Sequence, residues 1–199
     1  FAHATADQLC GEASPGYFCH PEVPYWIQRQ LPQARLIVTV REPIARAWSQ
    51  YWHNRRLLVE TDDFDELLKA PLHDVFVAGL RNYFSRGAYS VYLERYLKLF
   101  PKEQILVLPF EDLKRDPLEF YRRCFEFLGV DTDFQHESMQ KASNPRVMRT
   151  NPFFRLLFAR PGLTRFIPTQ LRRLFLWGSR KPFTPAPISA ESRQTLEAF

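Results

Sequence analysis

The stretch LIVTVREPIARAWSQYW, residues 36–52, constrains the fold more than any other part of the chain. It begins as an apolar run rich in β-branched residues and stops at Arg41. Pro43 comes next but one, then a helix-forming segment that carries Ser49. ARLIVTV (Ala34–Val40) is short and nearly continuously apolar, as expected of a strand buried on both faces of a parallel sheet. QILVLPF (Gln104–Phe110) is a second such run. Between them, Tyr92, Tyr96 and Leu99, with Leu93, Leu97 and Phe100, form the stripe of a core-facing helix that ends before Pro101. After the second run, Asp116 suits an N-cap, Pro117 the first helical position and Glu119 the closing side of a capping box. Leu118, Tyr121, Phe125 and Leu128 then make a buried stripe, and Gly129 a left-handed stop. Strand, helix, strand, helix predicts an α/β fold with a parallel sheet and right-handed crossovers.

At 199 residues, 45% hydrophobic and 15% aromatic, the chain suits one packed domain. We divide it into an α/β core at 1–140, an irregular basic and aromatic segment at 141–185, and the start of a terminal helix at 186–199. The sequence opens on Phe1 and stops at Phe199 inside a helical pattern, which reads as an internal piece of a longer protein. It shows neither a signal-peptide pattern nor an apolar run of the ~20 residues that span a bilayer. Three cysteines, Cys10, Cys19 and Cys124, lack metal-site spacing and read as free thiols in a reducing compartment, hence the cytoplasm. A Cys10–Cys19 disulfide is the alternative in an oxidising one. An upstream anchor would instead place the protein at a membrane or in the Golgi lumen. No His spacing suggests a metal site, and the oligomeric state stays open.

A formal charge of +5 and a pI of 9.2 favour anionic partners. The excess concentrates between Lys141 and Lys181, with ten Lys or Arg and no Asp or Glu. Interleaved aromatics allow peripheral membrane contact through 141–181; a solvated basic face is the plainer reading. No nucleic-acid-binding motif is present, and no nucleic acid partner is expected.

In open α/β sheets, ligands bind beyond the carboxyl ends of the strands, where Arg41 sits. Pro43 starts a helix there, offering free N–H groups and the positive end of a dipole. The planar guanidinium suits a phosphate, and Ser49 lies about 9 Å further along the helix axis. Spacing alone leaves two readings open, a phosphate site or a structural arginine with Ser49 facing solvent. Arg46 adds charge in a direction the spacing does not fix.

VREPIARAWSQYWH resembles the 3′-phosphate-binding motif of sulfotransferases that use 3′-phosphoadenosine 5′-phosphosulfate. GEASPGYF (Gly11–Phe18) is similar to the Glu-Lys-Thr-Pro-x-Tyr-Phe loop of the glycan sulfotransferases, among them the heparan-sulfate type and related bacterial enzymes. RGAYSVYLERYLKLFPKEQILVLPFEDLKRDP is similar to the family's Gly-x-Tyr, helix, Phe-Pro, strand, Glu-x-Leu and Asp-Pro series, and SRKPFTPAPISAESRQTLEAF to its cofactor loop and terminal helix. The resemblance implies a three-layer, P-loop-NTPase-like parallel sheet flanked by helices, incomplete at both ends. It implies phosphosulfate as donor, no metal, and a hydroxyl or amine acceptor on a glycan or other small or lipid molecule. By its motifs Arg41 and Ser49 hold the 3′-phosphate, Lys181 meets a nucleotide phosphate, and Ala13, Ser14, Pro15, Gly16 and Tyr89 lie at the acceptor. Glu12 is the candidate acid–base residue; it equally suits orienting an acceptor hydroxyl, or being held in the loop by backbone bonds. Where the family loop carries Lys, this chain has Ala13, and Lys181-Pro182-Phe183 stands for the family's Lys-Gly-Arg. The family's Lys-x-Gly-Thr loop has no counterpart between Phe1 and Phe199. Weighed against this reading are a nucleotide kinase of related fold, a non-enzymatic module binding anionic membrane or polyanion, and an inactive family member; the fragment alone is expected to be inactive.

Overall fold

The structure, a computed structural model, describes residues 3–5, 8–56, 60, 62–69, 83–140, 147–149 and 180–197. Its centre is a pair of parallel strands, β1 (Leu36–Val40) and β2 (Ile105–Pro109), in register from Leu36 opposite Ile105 to Val40 opposite Pro109. Both strands therefore end at the same edge, and the next residues along the chain, Arg41 and Phe110, emerge there side by side. Helices α1 (Val23–Gln30), α2 (Pro43–Arg56), α3 (Phe64–Lys69) and α4 (Tyr89–Leu97) precede β2; α5 (Phe110–Arg115) and α6 (Pro117–Leu128) come after it.

The core-facing stripe expected between the strands forms on α4, with Tyr92, Tyr96 and the nearby Phe100 buried. Leu97 falls on its outer side. The signals around Asp116 also hold. The Asp116 carboxylate accepts the Glu119 N–H at 3.1 Å, Pro117 opens α6, and Gly129 closes it at φ 70°. A capping box would turn the Glu119 side chain back to Asp116, but Arg122 takes it at 2.7 and 2.8 Å, and the Asp116 N–H donates to the Asp112 carbonyl instead. The deepest residues of α6 are Phe120 and Cys124 rather than the expected stripe, whose members sit half-buried to either side. Those two pack on Leu108, which is fully buried in β2.

Burial of both faces of the strands is not observed. Exposure alternates along β1, with Ile37 at 37%, and on β2 Val107, opposite Val38 and hence on the other face, is at 36%. Leu108 packs on α6, yet Ile37 on that same face and Val107 on the opposite one stay exposed among the described residues.

A second core gathers on α2. Its inner stripe, Ile44, Ala47, Tyr51 and Asn54, recurs at helical spacing. Tyr51 and Ala47 meet Phe64 of α3 and Tyr83, with Trp48, Trp52 and Ile188 around them. Asn54 donates to the Tyr83 hydroxyl at 2.9 Å and that hydroxyl to buried Glu60 at 2.9 Å, whereas Trp52 Nε1 is buried with no hydrogen-bond partner among the described residues. The terminal helix, α7 (Ala190–Glu197), docks here through the Ser192 hydroxyl, which donates to Asp65.

The sequence reads 141–185 as an irregular segment. The described residues there instead include an antiparallel pair, β3 (Val147–Arg149) with β4 (Arg180–Pro182). Residues 141–146 and 150–179, most of the basic segment, lie outside the described residues.

Candidate functional site

Arg41 stands at the carboxyl edge of the sheet because β1 ends there and Pro43 begins α2. Three neighbours hold it. Its backbone N–H donates to the Tyr89 hydroxyl at 3.3 Å. Its guanidinium lies over the Phe110 ring at 5.7 Å. Its Nε faces the Glu111 carboxylate at 3.8 Å and is buried without a hydrogen-bond partner among the described residues. Nη1 and Nη2 make no hydrogen bond to a described residue, and the side chain is 22% exposed. The inner edge of the fork is thus turned to the protein, and the outer edge remains for an anion.

The helix start, in contrast, is taken. The Glu42 carboxylate accepts the N–H groups of Ile44 at 2.8 Å and Ala45 at 2.7 Å. The free N–H groups expected beside Arg41 are filled by the chain's own carboxylate, so anion binding here falls to side chains. Ser49 lies on the side of α2 opposite its buried stripe, exposed, with no hydrogen bond to a described residue. His53 and Arg56 share that outer face, with Arg56 Nη2 and His53 Nδ1 3.2 Å apart. Burial first, and the Arg56 charge second, hold the His53 imidazole below its usual pKa.

Arg46 does not join the anion site. It donates to the Tyr83 carbonyl and, at 2.6 Å, to Gln50, and burial pushes its guanidinium below the ordinary arginine value. It ties the segment from Tyr83 to Tyr89 onto α2. Gly87 makes this approach possible: a Cβ there would come within 3.2 Å of Pro43 Cβ. The same segment brings Tyr89 under Arg41.

The loop at 11–18 reaches the site through Phe18, whose ring lies 6.2 Å from Tyr89, 5.7 Å from Tyr92 and 5.9 Å from Tyr96. The Tyr96 hydroxyl, its pKa pushed up to about 12 by burial, donates to the Tyr17 carbonyl at 2.9 Å. Ala13, Ser14, Pro15 and Gly16 are exposed at the loop's crest. The Glu12 carboxylate is held by a side chain rather than by the backbone: the Tyr17 hydroxyl donates to it, and that bond raises the Tyr17 pKa. Tyr89 joins the two halves, accepting from Arg41 on one side and packing on Phe18 on the other. Cys19 lies next in sequence, near the charges of Arg86, Arg46 and Arg95, but burial outweighs them and raises its thiol pKa.

Lys181 lies in β4 opposite Met148; its side chain is outside the described part. The residues after it return to α2 on either side of Ser49, where Phe183 packs on Trp52 at 4.7 Å and Trp48 Nε1 donates to the Ala186 carbonyl at 3.0 Å.

Phe110, Glu111 and Glu42 escaped the sequence reading as site residues. The signal for the first two was the equal end-point of the two strands, which sets residue 110 beside residue 41. For Glu42 it was an acidic side chain immediately before a helix that starts with proline.

The chemistry of a guanidinium whose Nη groups make no hydrogen bond to a described residue suits a phosphate, and Ser49 is exposed on the helix that follows. Comparison with known proteins gives these two residues a context. The sequence profile of the sulfotransferase domain matches residues 23–162. Heparan sulfate glucosamine 3-O-sulfotransferase 3B1 of Mus musculus is 32% identical over 127 residues, 62% of this chain and 32% of that protein. Bifunctional heparan sulfate N-deacetylase/N-sulfotransferase 3 of Homo sapiens is 31% identical over 139 residues, 65% of this chain and 15% of that protein. The chain therefore spans about a third or less of the length of these relatives. The crystal structure of a sulfotransferase from Alicyclobacillus acidocaldarius superposes with a TM-score of 0.64 at 28% identity, covering 100% of this chain and 67% of that one. The matched profile, running from α1 through both strands and past α6, settles the kinship: the chain belongs to the sulfotransferase domain family.

Proposed function

We propose that this chain is the donor-anchoring part of a sulfotransferase that moves a sulfuryl group from 3′-phosphoadenosine 5′-phosphosulfate to a hydroxyl or amine. The observation that carries the reading is Arg41, fixed at the carboxyl edge of the sheet with its Nη edge turned outward. Arg41 and the Ser49 hydroxyl grip the 3′-phosphate over the first two turns of α2. Their contribution is orientation, since the anchor lies at the far end of the nucleotide from the reacting group. The bound donor supplies the sulfuryl group and the leaving phosphate.

The acceptor enters along the loop at 11–18, whose crest is exposed and whose base is fixed to α4 by Phe18. The names of the relatives point to a glycan acceptor. Glu12, paired with the Tyr17 phenol, orients the acceptor or takes its proton. With Ala13 at the loop's crest, cationic stabilisation of the transferring group falls to residues other than this loop.

The test is transfer of radiolabelled sulfate from phosphosulfate donor by the full-length protein to N-sulfated or desulfated heparan chains, with a small phenol as comparison acceptor. Label in the glycan supports the reading. Donor turnover on neither acceptor, together with the absence of nucleotide binding, overturns it.

A further inference from the structure

We infer that Glu111 is a positioning residue for Arg41: it fixes the guanidinium so that its outer edge presents two N–H groups to the 3′-phosphate. The inference rests on the assignment of Arg41 as the phosphate anchor and extends it to a residue that touches no ligand itself. Glu111 is the second residue of α5, immediately beyond β2, so the equal end-points of the two strands set its carboxylate beside Arg41. The contact is specific to the inner edge. Oε1 of Glu111 faces Nε at 3.8 Å, and Nε is buried with no other acceptor among the described residues. Phe110, one residue earlier, lies under the same guanidinium and fixes its plane. Tyr89 holds the backbone N–H of Arg41 through its hydroxyl, near enough to Glu111 for the carboxylate charge to act on it.

An arginine side chain has many rotamers, and freezing it costs entropy whenever it grips a ligand. Here a ring and a carboxylate reduce that freedom before the anion arrives. A shift of roughly 1 Å would turn the Nε–Glu111 contact into a full hydrogen bond. Glu111 is 46% exposed, so its charge is well screened by water and repels an incoming phosphate weakly.

The two effects of Glu111 have opposite signs, which makes the inference testable. As a bare negative charge beside an anion site, Glu111 would weaken phosphate binding, and Glu111→Gln would tighten it. As a positioning group, its replacement loosens the fork and weakens binding. The experiment is a double-mutant cycle in the full-length protein, with Glu111→Gln, Arg41→Ala and the pair, titrated calorimetrically with adenosine 3′,5′-bisphosphate and with adenosine 5′-monophosphate. The expected result is an about tenfold loss for the bisphosphate on Glu111→Gln, no further loss once Arg41 is Ala, and no change for the monophosphate. Glu111→Asp, which keeps the charge on a shorter stem, recovers part of the loss. Unchanged or tighter bisphosphate binding by Glu111→Gln overturns the inference, as does an equal loss with and without Arg41. Failure of the underlying assignment reads differently: Arg41→Ala itself then leaves bisphosphate binding intact.

Discussion

Phe18 fastens the loop at 11–18 to the tyrosine face of α4, and its removal should release the loop while leaving the fold standing. Truncating a fully buried Phe to Ala costs about 3–5 kcal/mol. Phe18 is half-buried, with three tyrosine rings as its partners, so Phe18→Ala should cost about 2 kcal/mol. No strand or helix covers residues 11–18, so the loss falls on local opening of the loop rather than on global unfolding. A loss of that size raises the open population roughly 30-fold. The assay is amide hydrogen exchange. The Tyr17 N–H, bonded to the Ser14 carbonyl at 3.2 Å, and the His20 N–H, bonded to the Tyr17 carbonyl at 3.3 Å, report the loop; amides of α6 serve as reference. Exchange at Tyr17 and His20 should quicken roughly 30-fold with α6 unchanged. Sulfuryl transfer should fall more than nucleotide affinity, because the loop reaches Arg41 only indirectly, through the packing of Phe18 on Tyr89. Unaltered exchange at the two loop amides, or an equal acceleration in α6, would refute the anchoring role of Phe18.

Glu42→Ala removes the carboxylate from the start of α2 and should cost about 1 kcal/mol in urea unfolding. Its affinity for adenosine 3′,5′-bisphosphate should rise slightly, since two N–H groups are freed and a negative charge is lost; a fall would place Glu42 in the binding site instead. Gly129→Ala should destabilise by about 1–2 kcal/mol by thermal melting, because the φ of 70° is left-handed and the added Cβ would press on Arg35 Nη1 at 3.2 Å. Burial holds the Tyr96 phenol near a pKa of about 12, above its ordinary value of 10.0. The unfolded chain thus loses this proton first, so its contribution is intact below pH 10 and is lost as pH rises toward 12. Tyr96→Phe should flatten the fall in stability across that window, measured by urea unfolding at stepped alkaline pH.

What the sequence disclosed was local and periodic. Asp116, Pro117 and Gly129 announce the ends of α6 because caps are written in adjacent residues. The stripe from Tyr92 to Phe100 discloses the inner face of α4 for the same reason. Arg41 was visible as a charge at the end of an apolar run, and the parallel pairing could be read from the order of elements. The exposed face of β1 was not legible, since apolar composition says what a strand tolerates and not what covers it. The pair β3 and β4 was missed because three-residue strands are too short for an alternating pattern and their partners are far apart in sequence. The filling of the α2 N-terminus by Glu42 and the pairing of Glu12 with Tyr17 are side-chain choices among several partners, and spacing does not rank them. Arg46 is the clearest case: spacing leaves the direction of its charge open, and burial and the Tyr83 carbonyl make it a structural tie.

The central claim is that Arg41 and Ser49 hold the 3′-phosphate of the donor. It is tested most directly by the affinities of the full-length Arg41→Ala and Ser49→Ala variants for adenosine 3′,5′-bisphosphate and adenosine 5′-monophosphate. A charged, forked contact contributes about 1.5–3 kcal/mol and a neutral hydroxyl about 0.5–1.5 kcal/mol. Arg41→Ala should therefore weaken the bisphosphate roughly 10- to 100-fold and Ser49→Ala roughly 2- to 10-fold, with the monophosphate unaffected. An equal loss for both nucleotides would contradict the assignment, as would no loss for either.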